Sequence, residues 1–498
     1  MSGGGALLPE TTSNRLGLRG SRGPVLLSMM LSTAIVAMDS TILSTTVPTI
    51  VGELGGFESY PWLFSIYLLA MAVTVPVYSK LADTFGRKPV MLFGIGVFLL
   101  GSILAGCAWG MPALIAFRAV QGIGAGAISP MTQTIIGDIY TVQERAKVQG
   151  YVSSMWGAAS VIGPTLGALF AWLDAWRWIF FVNIPICLIA AWLVWTRYHE
   201  RLERHPHRID VGGAVTVTAG LALLILGVLE GGNAWAWDSV WSIGVFVLGG
   251  LLLVAFVLIE RRAAEPVLPL GMLRRPLIVV ACVLGIAQGA TLMGLTAFVP
   301  TYLEIGGGAS AFIGGIAVAV TMLGWPIASG LAGRLYLRYG YRTTTIIGTS
   351  LVLVGAAGLA LLGPMPDAWL IAACCFVIGW GFGWSTVPTL VAAQSSVEWR
   401  ERGVVTGSIL FSRSLGQALG AAILGAVSNA VIAARGGNEN DPATIVQSST
   451  AVFIGVGVIA IVHFGISLWM PRHIIADPAQ GAVRADPQGG IDVGPEAV

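Results

Sequence analysis

Long apolar segments recur along this chain and are separated by short polar and charged stretches. A membrane-spanning helix needs about 20 predominantly apolar residues. Continuous apolar runs of that length favour helices over the alternating strands of a membrane barrel. The pattern predicts an all-α integral membrane protein with fourteen transmembrane helices. The predicted spans are residues 25–51, 61–81, 89–109, 111–136, 146–172, 178–196, 211–230, 239–259, 276–302, 311–333, 343–363, 368–393, 403–432 and 449–470.

The overall composition agrees with that pattern. Hydrophobic residues make up 55% of the 498 residues, charged residues make up only 10%, and the mean hydropathy is +0.81. A soluble protein of this composition would need an apolar core too large for its polar surface. The composition therefore excludes the soluble classes of protein.

The distribution of basic residues predicts the orientation, because cytoplasmic loops carry an excess of Lys and Arg. With a cytoplasmic N-terminus, all but four of the 27 Lys and Arg residues lie in cytoplasmic loops or tails. The four others are Arg177 and Arg435 outside, and Arg118 and Arg413 within spans. Both termini are expected in the cytoplasm of a multi-pass protein of the cytoplasmic (inner) membrane. The net charge of +2 reflects this topology and predicts no nucleic-acid partner.

Glycine motifs repeat at a nearly constant distance. The repeated sets are Gly86 and Gly94 with Gly340 and Gly348, Gly122, Gly124 and Gly126 with Gly379, Gly381 and Gly383, and Gly163 and Gly167 with Gly416 and Gly420. Internal repeats in transporters place substrate and coupling sites at the repeat interface. We therefore predict two six-helix halves, with the surplus residues 210–261 forming two inserted helices.

These repeats predict five regions. They are a cytoplasmic N-terminal tail at 1–24, an N-terminal half at 25–196, cytoplasmic linkers with the two inserted helices at 197–275, a C-terminal half at 276–470 and a cytoplasmic tail at 471–498. The inserted helices are expected to pack peripherally and to contribute no residue to a proton site. The C-terminal tail, rich in Gly, Pro, Ala and Asp, is expected to be disordered.

Asp39 is the only carboxylate in the middle of a predicted span. A charge at bilayer depth costs at least ~2.5 kcal/mol, so such a residue faces a protein interior or cavity and marks a proton, ion or substrate site. Arg118 lies within roughly 7 Å of the same depth, which a long arginine side chain can span. Two roles stay open for this pair: proton coupling, or a structural ion pair that fixes helix packing.

Five motifs resemble those of the major facilitator superfamily. They are KLADTFGRK at 80–88, RAVQGIGAG at 118–126, GAASVIGPTLG at 157–167, DSTILSTTVP at 39–48 and WRWIFFVNIP at 176–185. Together they resemble the fourteen-span drug:proton antiporter family of that superfamily, over about residues 25–470. Ser44 replaces the usual asparagine after the first-span aspartate, and Leu337 and Cys375 stand where a second copy of Asp83 and Arg118 would be.

The resemblance implies roles for particular residues. The implied proton-coupling pair is Asp39 and Arg118. The implied cytoplasmic gate comprises Asp83, Gly86, Arg87 and Lys88, with Asp83 facing the N-terminus of the thirteenth helix in the other half. The implied antiporter helix uses Gly157, Gly163, Pro164 and Gly167. Each set has an alternative: the gate residues could be a solvated turn with topogenic charges, and the glycines could serve close packing alone.

Several midspan residues are candidates for a substrate pocket. They are Thr41, Gln121, Trp156, Gln288, Trp325, Trp380, Trp384 and Arg413. An aromatic cavity with few polar groups suits lipophilic and cationic compounds. Tryptophans in spans also serve packing or interface anchoring. Arg413 either contacts substrate or bonds to backbone carbonyls of a neighbouring helix.

These observations predict a secondary transporter that exports small lipophilic, cationic compounds in exchange for protons, working as a monomer in the bilayer. A lipid or metabolite exporter of the same fold is the alternative, and a membrane receptor or sensor is the third hypothesis. None of the lysines Lys80, Lys88 and Lys147 follows a glycine, so no ATP-binding P-loop is present. No enzymatic activity, cofactor or metal site is predicted, since the histidines at 199, 205 and 207 lack cysteine partners.

Overall fold

The computed structural model describes residues 20, 22–43, 46–55, 59, 62–200, 210–230, 235–236, 239–263, 271, 274–435, 441–472, 484–485 and 491–493. Ser44 lies outside these residues, as do His205, His207 and most of both tails.

Sixteen helices make up most of this described part of the chain. The first eight are α1 (Gly23–Ile42), α2 (Val47–Leu54), α3 (Trp62–Phe85), α4 (Arg87–Gly106), α5 (Met111–Ile139), α6 (Val142–Trp172), α7 (Trp178–Phe181) and α8 (Asn183–Arg197). The others are α9 (Val211–Glu230), α10 (Val240–Glu260), α11 (Pro276–Thr301), α12 (Ala311–Tyr339), α13 (Tyr341–Leu362), α14 (Ala368–Ser395), α15 (Arg402–Ala434) and α16 (Pro442–Ser467). A π-helical turn at Tyr302–Gly306 extends α11, and a 3-10 turn at Trp399–Glu401 precedes α15.

Local sequence explains several helix boundaries. Thr141 and Glu144 form a capping box at the start of α6, in which each side chain accepts a hydrogen bond from the other residue's backbone N–H. Asp367 accepts two backbone hydrogen bonds at the start of α14. Gly86 and Gly340 have φ of 103° and 83°, a backbone region that glycine tolerates best, and they separate α3 from α4 and α12 from α13.

Twelve of the described helical segments are long and apolar enough to cross a membrane. The long helices outside this set are α6, whose first turns are polar, and α9, whose apolar stretch is Gly212–Gly227. The described residues therefore form an all-α fold with about twelve helices that could span a membrane. The count of fourteen stays a prediction.

Close helix contacts at glycine repeat between the two halves. A Cβ added at Gly94 would lie 3.2 Å from the carbonyl oxygen of Gly124, and one at Gly124 would lie 2.7 Å from the carbonyl oxygen of Gly94. In the other half, Gly348 and Gly381 approach in the same way, with distances of 2.8 and 2.5 Å. Small residues let helix backbones approach closely in membranes. The repeated glycines therefore mark the equivalent helix pairs α4–α5 and α13–α14.

The two halves meet along two pairs of helices, α3 with α15 and α6 with α12. Gly150 of α6 and Gly330 of α12 bring their backbones together, since a Cβ on Gly150 would lie 2.9 Å from the Cα of Gly330. All hydrogen bonds between the halves among described residues lie at the end of the bundle that carries Asp83 and Arg87. We call this the gate end; the sequence predicts that it faces the cytoplasm.

The inserted helices α9 and α10 pack against each other at the edge of the bundle. Helix α9 also contacts α3 and α15, one from each half, through a cluster that includes Leu69, Val73, Val217 and Leu221. Helix α10 presents most of its apolar surface outward. The pair is peripheral, as expected, but it also covers the α3–α15 seam between the halves.

A small sheet corrects part of the prediction for the C-terminal tail. Strand β1 (Tyr198–Glu200) pairs in parallel with β3 (Ile491–Val493), and β2 (Arg484–Ala485) pairs antiparallel with β3, in the order β1-β3-β2. Tyr198 lies opposite Ile491 in this register. These five tail residues are extended strand rather than disordered, because β1 continues directly from α8 and offers a backbone edge for pairing.

Candidate functional site

A buried ion pair joins α1 to α5 near the middle of the N-terminal half. Asp39 Oδ2 lies 2.6 Å from Arg118 Nη1, and the two side chains are 2% and 1% exposed. Gln121 donates from Nε2 to Asp39 Oδ1 at 2.8 Å and accepts from Arg118 at 2.7 Å. Both carboxylate oxygens are therefore satisfied, as a buried charge requires.

The surroundings of Arg118 hold the guanidinium in this position. Its Nε donates to the carbonyl oxygen of Leu63 at 3.1 Å, and its guanidinium carbon lies 4.3 Å from the ring centroid of Tyr67. Ser102 accepts from Gln121 and from Asn183, which extends the network to α4 and α8. Neutralising Asp39 would remove the only carboxylate bonded to Arg118 among the described residues.

The first helix also contacts the proposed antiporter helix, α6. Thr41 donates from its hydroxyl to the carbonyl oxygen of Ala159 at 3.0 Å. A Cβ at Gly163 would overlap the hydroxyl of Thr41 and lie 3.2 Å from the backbone nitrogen of Ile42. Gly167 is also buried, and Pro164 lies between these glycines on α6. Thr41, one of the pocket candidates, therefore lies at the α1–α6 contact.

We expect Gly163→Ala to reduce transport several-fold, because the added methyl group would separate α1 from α6 next to Asp39. The measurement is substrate efflux at equal amounts of folded protein. Gly157→Ala is the matched control on the same helix: its Cβ would lie 3.8 Å from the nearest atom, in ordinary contact. Equal activity of the two variants would argue against a requirement for close packing at Gly163.

A cluster of charged residues closes the gate end. Arg87 is fully buried and lies 2.9 Å from Asp83, 3.3 Å from Asp138 and 3.8 Å from Glu200. Its guanidinium also lies 3.7 Å from the ring centroid of Trp399 and donates to the Trp399 carbonyl oxygen in the other half. We call Asp83, Arg87, Asp138, Glu200 and Arg402 the gate cluster.

Two carboxylates of the gate cluster join the halves. Asp83 accepts from the backbone N–H groups of Gly403 and Val404, at 3.2 and 2.9 Å, in the first turn of α15. Backbone amides at a helix N-terminus stabilise a negative charge. Asp138 lies 3.3 Å from Arg402, also in α15. The structure thus places Asp83 at the helix end that the resemblance implied.

The other two predicted gate residues contribute locally. Gly86 is the N-cap of α4 with its positive φ, and Glu200 accepts from the backbone N–H groups of Arg87 and Lys88 at 2.8 and 3.1 Å. Lys88 donates from Nζ to the carbonyl oxygen of Trp195 at 2.7 Å. Glu200 therefore anchors the start of α4 to strand β1, which follows α8.

Two adjoining cavities lie between the halves, with volumes of about 150 and 110 Å³. Both are lined by Ser153 and Trp156 of α6, Trp325 of α12 and Arg413 of α15. Val36, one turn before Asp39 on α1, lines one of them. We call these the central cavities.

The remaining pocket candidates lie elsewhere. Gln288 donates to the hydroxyl of Thr386 at 2.7 Å, and Thr386 lines a central cavity, so Gln288 lies behind the lining. Trp380 and Trp384 contact each other on α14, with ring centroids 5.8 Å apart, outside the described lining. Gln121 belongs to the Asp39 network. The substrate roles of these residues stay predictions.

Comparisons with known proteins identify the family. Residues 29–421 match the sequence profile described as Major Facilitator Superfamily. The chain belongs to the major facilitator superfamily. It is 34% identical over 412 residues to multidrug resistance protein 3 of Bacillus subtilis, covering 82% of this chain and 80% of that protein. It is 35% identical over 417 residues to the multidrug transporter protein MdtP of the same organism, covering 83% and 76%.

A solved structure shows the same fold at low sequence identity. The human organic anion transporter MFSD10 superposes with a TM-score of 0.63 and 15% identity, covering 90% of this chain and 99% of that one. At that identity the likeness concerns the fold alone. The family and the named relatives are transporters, so this chain is a major facilitator transporter with relatives in multidrug efflux.

Sequence reasoning missed three of the five residues of the facilitator's gate cluster, namely Asp138, Glu200 and Arg402. Asp138 lies two residues beyond the predicted fourth span, and Glu200 lies among basic residues in a predicted loop. Both carboxylates are buried in the structure because α5 and the strand β1, which follows α8, continue into the gate end. The sequence signal that could have found Asp138 is its place on the same apolar helix as Arg118. Glu200 carried no comparable signal.

Glu200→Gln is expected to flatten the pH dependence of stability at a cost on the order of 1 kcal/mol. Burial raises the pKa of Glu200 despite the nearby Arg87 and its two backbone hydrogen bonds. The folded protein then binds a proton more tightly than the unfolded chain. Stability is therefore fullest below the ordinary pKa of Glu and falls as pH rises through the raised pKa. Glutamine removes that titration.

The measurement is the melting temperature of purified protein between pH 4 and pH 8. Glu398→Gln is the control, because Glu398 is an exposed carboxylate next to the 3-10 turn at the same end. An unchanged pH profile in the Glu200 variant would contradict the assigned titration.

Proposed function

We propose that this facilitator is a proton-coupled antiporter that exports small lipophilic compounds by alternating access. The observation that carries the proposal is the buried pair of Asp39 and Arg118, which is the only described ion pair in the middle of the helix bundle. Intramembrane ionisable groups mark proton and ion pathways. The names of the two Bacillus relatives support multidrug efflux.

The proposed coupling runs through α1. A proton that neutralises Asp39 weakens the contact of α1 with Arg118 on α5. Helix α1 also bears Val36 in the central cavity and Thr41 at the contact with α6. Helix α6 in turn packs on α12 of the other half at Gly150 and Gly330. A shift of α1 that follows protonation of Asp39 can therefore change the cavity lining and the interface between the halves. It does so through contacts that are already present in this conformation.

The gate cluster accounts for closure of the cavities on one side in the proposed alternating-access cycle. Hydrogen bonds to the first turn of α15 hold the halves together at the gate end, so the central cavities are closed on that side. With both termini cytoplasmic, this is a conformation closed toward the cytoplasm. Opening it requires the contacts of Asp83 and Asp138 with α15 to break, and rocking of the halves provides that change.

The finer features of the topology belong to the same proposal. Helices α6 and α9 complete fourteen spans, both termini lie in the cytoplasm, and the distribution of Lys and Arg supports that orientation. The transporter functions as a monomer in the cytoplasmic membrane and uses the proton gradient without a cofactor. The predicted cationic charge of the substrate finds no support in the described cavity lining, which contains no carboxylate.

The test is dye transport in everted membrane vesicles with and without a proton gradient. We expect dye accumulation that requires the gradient and collapses when a protonophore dissipates it. The available energy is adequate, since each charge crossing contributes about 2.3 kcal/mol per 100 mV. Accumulation that persists after the gradient is collapsed would exclude proton coupling.

A further inference from the structure

The central cavities contain a single formal charge among the residues described as lining them. That charge is the guanidinium of Arg413, a residue of α15 that lines both cavities. No described residue forms a hydrogen bond or ion pair with this side chain. Its one described interaction is with the ring of Trp325, whose centroid lies 5.7 Å from the guanidinium carbon.

Arg118, in the same protein, is a buried arginine whose N–H donors are paired with acceptors. Its guanidinium bonds to Asp39, to Gln121 and to the carbonyl oxygen of Leu63. Arg413 has five N–H donors of the same kind but lacks such acceptors in the described residues. The sequence-based alternative, in which Arg413 bonds to backbone carbonyls of a neighbouring helix, therefore has no described contact to support it.

An unpaired cation in a confined cavity favours ligands of opposite charge. The planar fork of a guanidinium matches a carboxylate through two parallel hydrogen bonds. A carboxylate bound there would supply the acceptors that Arg413 lacks, whereas a cation would be repelled by the one charge among the described lining residues. The net charge of the cavity thus decides between substrate classes.

We propose that Arg413 binds the carboxylate of the transported compound, so that the substrate class is small aromatic acids rather than lipophilic cations. This inference rests on the export function proposed above and specifies its substrate. Trp156 and Trp325 flank Arg413 in both cavities and offer ring surfaces to the aromatic body. Ser153 and Gln417 lie beside Arg413 in the larger cavity and can hydrogen-bond to further polar groups.

The test is equilibrium binding to purified protein without a proton gradient, using three probes of nearly equal size. They are 2-naphthoate, 2-naphthamide and 2-naphthylmethylammonium, which differ in charge. We expect wild-type protein to bind the carboxylate at least about tenfold more tightly than the amide, and the ammonium most weakly. Arg413→Gln should bring the carboxylate and the amide within about twofold, with Arg413→Lys between.

Thermal stability provides a second measurement that does not depend on transport. 2-Naphthoate should raise the melting temperature of wild-type protein but not of Arg413→Gln, because a ligand stabilises the state that it binds. Without ligand, Arg413→Gln should be at least as stable as wild type, since it removes an unpaired charge. Arg435→Gln is the matched control, because Arg435 is exposed at the far end of the same helix.

Three results would overturn the proposal. They are tightest binding of the ammonium probe, absence of saturable 2-naphthoate binding to wild-type protein, and an unchanged carboxylate preference in Arg413→Gln. Failure of proton coupling is distinguishable from each of these. If transport is independent of the gradient while 2-naphthoate still binds through Arg413, the coupling proposal fails and the substrate class stands.

Discussion

Replacing Asp39 by Asn is expected to abolish proton-driven efflux while exchange of substrate across the membrane continues. The amide has nearly the shape of the carboxylate and can still accept one hydrogen bond from Arg118 or Gln121, but it cannot bind and release a proton. The measurement is dye accumulation in everted vesicles driven by an imposed proton gradient, compared with substrate counterflow without a gradient. Accumulation should fall to background, and counterflow should remain measurable.

The variant also leaves Arg118 without its anion, which in buried pairs costs roughly 3–5 kcal/mol. The amount and monodispersity of membrane-extracted protein must therefore be compared before the rates. Glu53→Gln is the matched control, because Glu53 pairs with Arg177 at 2.6 Å but is 48% exposed. Hydrogen bonds from Arg177 and Trp176 lower the pKa of Glu53, and its loss should change transport little. Proton-driven accumulation at wild-type rates in Asp39→Asn would remove Asp39 from coupling.

Asp83→Asn is expected to slow turnover on the order of tenfold, a change of about 1.4 kcal/mol, and to leave substrate binding within about twofold. Asparagine loses the charge that Asp83 presents both to Arg87 and to the first backbone amides of α15. The conformation that is closed at the gate end is then less stable. The central cavities are lined by other residues, so affinity should be preserved. The measurements are the maximal efflux rate and equilibrium binding on the same preparation.

Asp210→Asn gives a matched control for the gate. Asp210 lies at the same end and accepts from the backbone N–H of Gly213 at 2.8 Å, so it also caps a helix, but that helix is the inserted α9. Its loss should leave turnover near the wild-type rate. A fall in binding without a fall in turnover for Asp83→Asn would show that Asp83 acts on the substrate site rather than on closure.

The sequence predicted the ion pair of Asp39 and Arg118 because charged residues within long apolar runs are rare. Asp39 and Arg118 were visible on that ground, and simple depth counting placed them within reach of each other. The close glycine contacts of α4–α5 and α13–α14 were also visible, as repeats at a fixed spacing. In these cases the signal is local in sequence or is set by membrane depth.

The residues that escaped prediction lie where sequence patterns carry little information. Charged residues are common at the ends of spans. The burial of Asp138 and Glu200 therefore depended on how far α5 extends, on the strand β1 that follows α8, and on which neighbours contact them. Tryptophans are equally common in packing and in pockets, so only the structure separated Trp156 and Trp325 from Trp380. The contact of α9 with both halves followed from tertiary packing that no repeat encodes.

Because α9 and α10 cover one of the two seams between the halves, the two seams differ in their exposure to the bilayer. The α3–α15 seam is sealed by an extra layer of protein, whereas the opposite seam, α6–α12, faces the bilayer with exposed side chains such as Ile162 and Ile327. Trp156 lies at that open seam, is 37% exposed and lines both central cavities. Any lateral route from the bilayer to the central cavities would therefore run past Trp156 at the α6–α12 seam, because the layer formed by α9 and α10 covers the other seam.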